Sequence, residues 1–131
     1  MKKIGLFISV MVLFFITTIS VYADDKGKVA VAAEGKTTAS EVSGVAARSP
    51  YFLIFDSANS LLEVLDNPYK DTGRRAGPSV AAFLAQKEVT IVIAGQFGDK
   101  MIQAMQSKGI EYLEFQGSAD AALEKVQELR K

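Results

Sequence analysis

From residue 28 onward, short β-favouring runs alternate with stripes of helical period. Val29–Ala33 is an apolar run that ends at Glu34-Gly35 and predicts a strand. Tyr51–Asp56 (YFLIFD) is continuous and rich in aromatic and β-branched residues, the pattern of a strand buried on both faces. Ser57–Ser60 has the composition of a hairpin turn, and Leu61–Asp66 supplies the partner strand, closed by Asn67-Pro68. Gly77-Pro78 opens a helix with proline in the first turn, where its missing N–H costs nothing, and Val80, Phe83 and Leu84 mark the buried stripe. Val89–Ala94 (VTIVIA) is a further strand. Gly95–Gly98 turns it into a helix over Asp99–Lys108, with Ile102 and Met105 on one face and Gly109 as its stop. Ile110–Phe115 is the last strand. Ser118 caps a final helix with Ala119, Ala122, Val126 and Leu129 on its buried side, and Lys125, Arg130 and Lys131 complement its C-terminal dipole. Lys36–Arg48 and Tyr69–Ala76 show no period and read as long loops.

The predicted order is β-β-β-α-β-α-β-α. A leading antiparallel hairpin followed by βαβ units makes this an α/β chain with a mixed five-stranded sheet and helices packed on it. The connection from Val89–Ala94 to Ile110–Phe115 is expected to be parallel and right-handed.

The first residues have another character. Lys2 and Lys3 precede an uncharged apolar run, and Val21-Tyr22-Ala23 places small or modest residues before a cleavage point followed by Asp24-Asp25. This is the pattern of a secretory signal over residues 1–23, leaving 24–131 as one exported domain, periplasmic or extracellular. The rival is a retained anchor, since Ile4–Val21 sits at the lower edge of spanning length. Gly5, Ser9, Thr17, Thr18 and Ser20 weaken that rival, and no basic stop-transfer cluster follows. The N-terminal segment, if uncleaved, is the one route to a membrane.

Composition narrows the chemistry. Apolar residues make up 49% of the chain, enough for a packed core. There is no His, no Cys and no Trp, which excludes zinc fingers, CxxC redox pairs, Ser-His-Asp and Cys-His units and thiolate-held iron–sulfur clusters. No disulfide can form. Removing Lys2 and Lys3 from the 15 basic residues leaves 13 against 15 acidic ones, a net charge of −2. Such a balance lacks the broad basic surface that nucleic-acid binding needs.

The stretches KVAVAAEGK, RSPYFLIFD, the NP at Asn67-Pro68, AGPSVAAFLA, VTIVIAGQFGDKMIQAM and KGIEYLEF, in that order and spacing, resemble the dinitrogenase iron–molybdenum cofactor biosynthesis family over about residues 28–128. NifX-type carriers and the C-terminal domains of NifB and NafY belong to that family. The resemblance implies a ribonuclease-H-like fold, three antiparallel strands followed by two αβ units. It also implies a non-enzymatic carrier of an anionic iron–sulfur or iron–molybdenum cluster. Family members typically carry a His before the second strand, implicated in holding the cluster. Here Arg48, Pro50, Tyr51 and Phe52 match the motif, but the His position is Val45, which cannot ligate a metal. Neither tightly held zinc nor a covalently ligated cluster is therefore expected, and the candidate ligand is a loosely held anionic cluster or an oxyanion. The alternative is an interaction domain, with an unspecified protein partner, that kept the fold and lost ligand binding.

In the resembling fold the two long loops flank one cleft. That gives Arg48, Lys70, Arg74 and Arg75, with Ser79 at the start of the following helix, as the candidate cofactor-binding set. An ordinary solvated charge cluster is the plain alternative. Other constellations are weaker. Glu34 and Asp56 sit at strand ends like the carboxylates of two-metal nucleases, but VAVAA itself carries no acid. Gly77-Pro78-Ser79-Val80-Ala81 superficially matches a nucleophile elbow without a preceding strand or a His. Gly95–Gly98 is a tight turn or an anion cradle, with Asp99 arguing against the cradle. Met101 and Met105, at i and i+4, suit a core better than a copper site.

Overall fold

The computed structural model of the protein describes residues 27–130. The expected export segment, residues 1–23, lies outside them, as does Lys131. Along the described residues the strands are β1 (Lys28–Ala33), β2 (Tyr51–Phe55), β3 (Leu61–Asp66), β4 (Val89–Ala94) and β5 (Glu111–Glu114). The helices are α1 (Ala76–Gln86), α2 (Asp99–Ser107) and α3 (Ala119–Leu129), and a single 3-10 turn spans Ala46–Arg48.

One five-stranded mixed sheet runs in the order β3-β2-β1-β4-β5. β2 is antiparallel to both of its neighbours, while β1, β4 and β5 are mutually parallel. The apolar runs dictate which strands lie inside. In β1, β2 and β4 side chains on both faces are apolar, so both faces are covered. Ala30, Ala32, Phe52, Ile54, Val92 and Ala94 pack against Val80, Ala81 and Leu84 of α1 and Met101 and Met105 of α2. Val29, Val31, Leu53, Phe55 and Ile93 pack on the other face against Ala119, Ala122, Leu123 and Val126 of α3. The result is three layers, two helices over one face and one over the other.

Helix ends follow local rules. Ser118 Oγ accepts the Ala121 N–H at 3.2 Å and starts α3. Gly109, at φ 71°, ends α2, and the Ile110 N–H returns to the Met105 carbonyl at 2.9 Å.

Several elements differ from the sequence expectation. Ala81 replaces Phe83 among the fully buried residues of α1, and Phe83 is half-buried against Tyr69. Met101 replaces Ile102 on α2, because the N-terminal turn of α2 packs against α1 as well as the sheet. On α3, Leu123 is buried and Leu129 is 64% exposed, because the helix runs past the end of the strands it covers. The stretch 36–48 is not one free loop. Val42 bridges Ala33, Glu41 bridges Ser118, Val45 bridges Gln96, and the 3-10 turn follows. These isolated backbone pairs leave no periodic trace in the side chains.

The ion pairs among the described residues add little to stability. Lys28–Glu88 at 3.7 Å and Lys125–Glu128 at 3.8 Å are solvent-exposed, and such pairs contribute about 0–1 kcal/mol each.

Candidate functional site

The two segments that follow β1 and β3 are locked to each other by a buried polar network. Asn67, 3% exposed, donates from Nδ2 to the carbonyls of Ala47 at 3.0 Å and Ser49 at 2.9 Å. Its Oδ1 accepts the Tyr69 N–H at 2.9 Å. Ser49 Oγ lies 2.9 Å from Ser43 Oγ and within hydrogen-bond reach of the carbonyls of Ala33 and Tyr51. Arg48 then crosses from the first segment to the second. Its guanidinium donates to the carbonyls of Lys70 at 3.0 Å, Thr72, and Gly73 at 3.4 Å.

Against this frame a cleft of about 300 Å³ opens between the 3-10 turn, the end of the Tyr69–Arg75 loop and the first turns of α1 and α2. Val45, Ala47 and Arg48 form one wall, Gly73, Arg75 and Gly77 a second, and Gly98, Asp99, Lys100 and Met101 a third. The helix starts meet closely because Gly77 has no side chain. A Cβ there would stand 2.8 Å from the Met101 Cβ. Neither α1 nor α2 has a side-chain cap, in contrast to α3. The first N–H groups of each helix have no intrahelical partner and carry the positive end of its dipole. Arg75 stands at the N-cap of α1 with φ 63°, a left-handed backbone that costs a non-glycine residue about 1–2 kcal/mol.

The arrangement suits an anion. Two helix starts and the cations Arg75 and Lys100 border the cleft, opposed by the carboxylate of Asp99. It offers little for direct metal ligation. Val45, 40% exposed on the wall, is a hydrocarbon, and the thioether of Met101 belongs to a residue only 1% exposed, packed in the core. Among the described residues no group of three His, Cys, Asp or Glu comes together around a point.

The sequence candidates fall into two groups. Arg48 and Arg75 line the cleft, but three of Arg48's donor contacts go to backbone carbonyls, so it also acts as a clasp between loops. Lys70 and Arg74 lie in the same loop, exposed, outside the lining residues. Ser79 is half-buried in the first turn of α1, its N–H bonded to the Arg75 carbonyl at 3.1 Å, and is likewise outside the lining. Lys100 was missed. It sits just after a helix start signalled by Gly98-Asp99, and pairing that start with the one at Ala76 would have found it. Gly95 serves the tight turn: a Cβ there would stand 2.8 Å from the Gly44 carbonyl oxygen, and its N–H bonds the Ser43 carbonyl at 2.8 Å. Glu34 and Asp56 are separated by the length of an antiparallel pair, since Ala33 pairs with Tyr51 and Val29 with Phe55. That spacing, about 3.4 Å per residue, prevents both from holding metals about 4 Å apart.

Known proteins resemble this chain in sequence and in fold. A protein of Thermotoga described as NifB-like, solved by NMR, is 30% identical, covers 79% of this chain and 90% of its own, and superposes with a TM-score of 0.68. The apo form of the orange protein from Desulfovibrio gigas is 25% identical over 82% of this chain and 92% of its own, with a TM-score of 0.75. No curated protein matches the sequence. The profile of the dinitrogenase iron–molybdenum cofactor family matches residues 27–129, which contain every element described above, and the chain belongs to that family.

Proposed function

We propose that this protein is a non-catalytic, exported carrier of an anionic metal–sulfur cluster of the iron–molybdenum or iron–sulfur type, and that it holds this cargo in the cleft between α1 and α2. The class of cargo comes from the family. The observation that carries the reading is the meeting of two uncapped helix N-termini beside Arg75 and Lys100. A cluster with net negative charge is retained there by N–H groups and guanidinium donors, which bind terminal sulfur or oxygen atoms rather than the metal. Retention of this kind is looser than ligation by an imidazole and weakens as salt screens it. An oxyanion such as molybdate or phosphate presents the same chemistry. The fold reading is ribonuclease-H-like, supported by the strand order 3-2-1-4-5 with β2 antiparallel to the rest. The export reading rests on the N-terminal sequence.

A second reading is favoured by Val45. A hydrocarbon at the position where the family typically has a His suits an interaction domain that no longer binds cargo. One experiment separates the two. Protein mixed with isolated iron–molybdenum cofactor without oxygen is passed through a sizing column while visible absorption is followed. The carrier reading requires colour that elutes with protein at low salt, is lost at high salt, and falls at least severalfold in the variant Arg75→Ala, Lys100→Ala. Val45→His should then hold colour at higher salt. A colourless wild-type protein together with a colourless Val45→His variant gives the interaction reading first place.

A further inference from the structure

The sheet has two edges, and they are built differently. β5 is four residues long, with Glu111 and Glu114 at its ends. β3 is longer, LLEVLD, and carries no Lys or Pro; its pairing with β2 has one register shift, where Ile54 pairs with Glu63 and Phe55 with Leu61 and Leu62 is the extra residue, and its charged side chains are acidic. Its register on β2 sets which side chains share a face. Val64 pairs with Leu53 and therefore points to the α3 side, as do Leu62 and Asp66 by alternation. Glu63 pairs with Ile54 and points to the α1–α2 side. α3 covers Leu53 and Phe55 but stops short of β3. Leu62 is 49% exposed and Val64 38% exposed, and neither joins the core beneath α3. The charges on this edge share one sign. Glu63 and Asp66 are exposed, and among the described residues neither has an ion-pair partner.

We propose that β3 accepts an extended basic segment of a partner protein as a sixth strand, with apolar side chains over Leu62 and Val64 and cations against Glu63 and Asp66. Open N–H and C=O groups along β3 supply the main-chain bonds, and the alternating faces supply selectivity. A second copy of this chain fits poorly. In the antiparallel register that sets Leu62 against Val64 of the copy, Glu63 faces its own counterpart. In the register that sets Val64 against its own counterpart, each Asp66 falls against Leu62. Both place four carboxylates and no cation in one ladder; the first sets like charges directly opposite, which destabilises a pair, and the second sets each carboxylate against a leucine with no partner for its charge. This inference is independent of the cleft, because β3 contributes no cleft residue.

Hydrogen exchange of the full chain, read over residues 61–66, tests it. The probe is a synthetic peptide long enough to span β3, with valine where it lies opposite Leu62 and Val64 and arginine where it lies opposite Glu63 and Asp66; the control carries glutamate in place of each arginine. The arginine peptide should slow exchange there by about tenfold, the factor that about 1.4 kcal/mol carries, and the glutamate peptide should leave it unchanged. The variant Glu63→Lys, Asp66→Lys should reverse the preference, which also shows that the variant is folded. Equal protection by both peptides, no protection by either, or protection confined to residues 45–48 and 75–78 overturns the proposal. Protection of 61–66 without peptide that grows with protein concentration assigns the edge to a second copy instead. Protection without peptide that vanishes in protein starting at Asp24 assigns it to the chain's own N-terminal segment. Either result overturns the partner.

Discussion

Asn67 contributes more to the shape of the cleft than its strand-closing position suggests. Its amide joins the segment after β1 to the segment after β3, with the bond to Ser49 buried and the bond to Ala47 partly so. Asn67→Ala removes two donors and leaves the Ala47 and Ser49 carbonyls without them. At about 1 kcal/mol per bond and about 1–3 kcal/mol for a stranded buried group, a loss of about 2–4 kcal/mol is expected. The urea midpoint should fall while the slope of the transition stays constant. Asn67→Asp, which keeps the acceptor for Tyr69 and loses both donors, should not restore stability. Arg48 teaches the complementary lesson. Its charge was legible in the sequence, but the carbonyls of Lys70, Thr72 and Gly73 that occupy its guanidinium were not. Backbone acceptors carry no residue identity, so a cation that serves as a clasp reads in sequence like one that serves a ligand.

Among the elements, strands were legible whether covered or not: β3, exposed along most of its length, matches its expected bounds as well as β4 does. β1, β2 and β4 are covered on both faces, and their continuous apolar runs place them to within a residue of the expected bounds. The last turn of α3 lies where coverage ends, and there the apolar stripe overreached. β5 lies within a residue of its expected bounds at each end, whereas Leu129 continues the stripe of α3 into solvent. The crossing of α1 and α2 was not legible, because it turns on Gly77, which the sequence offers merely as a helix opener. Gly77→Ala sets two effects against each other. Helix propensity favours alanine by about 1 kcal/mol, whereas overpacking against the Met101 Cβ and backbone costs about 1–3 kcal/mol. Because the backbone of α2 is part of the clash, the second effect should win. Thermal unfolding of Gly77→Ala is expected at a lower temperature than wild type, with weaker anion retention as the helix starts separate. Gain of stability without loss of retention would show that the two helices are not held in contact at this point.

At the scale of the molecule, the cleft sits where the topology turns. β1 continues toward β2 on one side and β4 toward β5 on the other, so the chain diverges beyond the carboxyl ends of two adjacent parallel strands. Open α/β sheets bind ligands at such switch points, and the walls here come from the segments that follow β1, β3 and β4. Sequence order alone does not reveal this place, because it depends on β1 lying between β2 and β4. The same view bears on export. At the start of the described residues, Gly27 lies so close to Thr90 that a Cβ would overlap it, and the Lys28 N–H bonds the Glu88 carbonyl at 3.3 Å. Cleavage after Ala23, as the N-terminal sequence suggests, would leave each of these contacts in the mature chain, behind the polar stretch Asp24-Asp25-Lys26. Mass spectrometry of protein recovered from its native cell should therefore find Asp24 at the N-terminus, in the periplasmic or extracellular fraction. Recovery of intact Met1 species from the membrane fraction would instead make Ile4–Val21 an anchor and tether the domain to the bilayer surface.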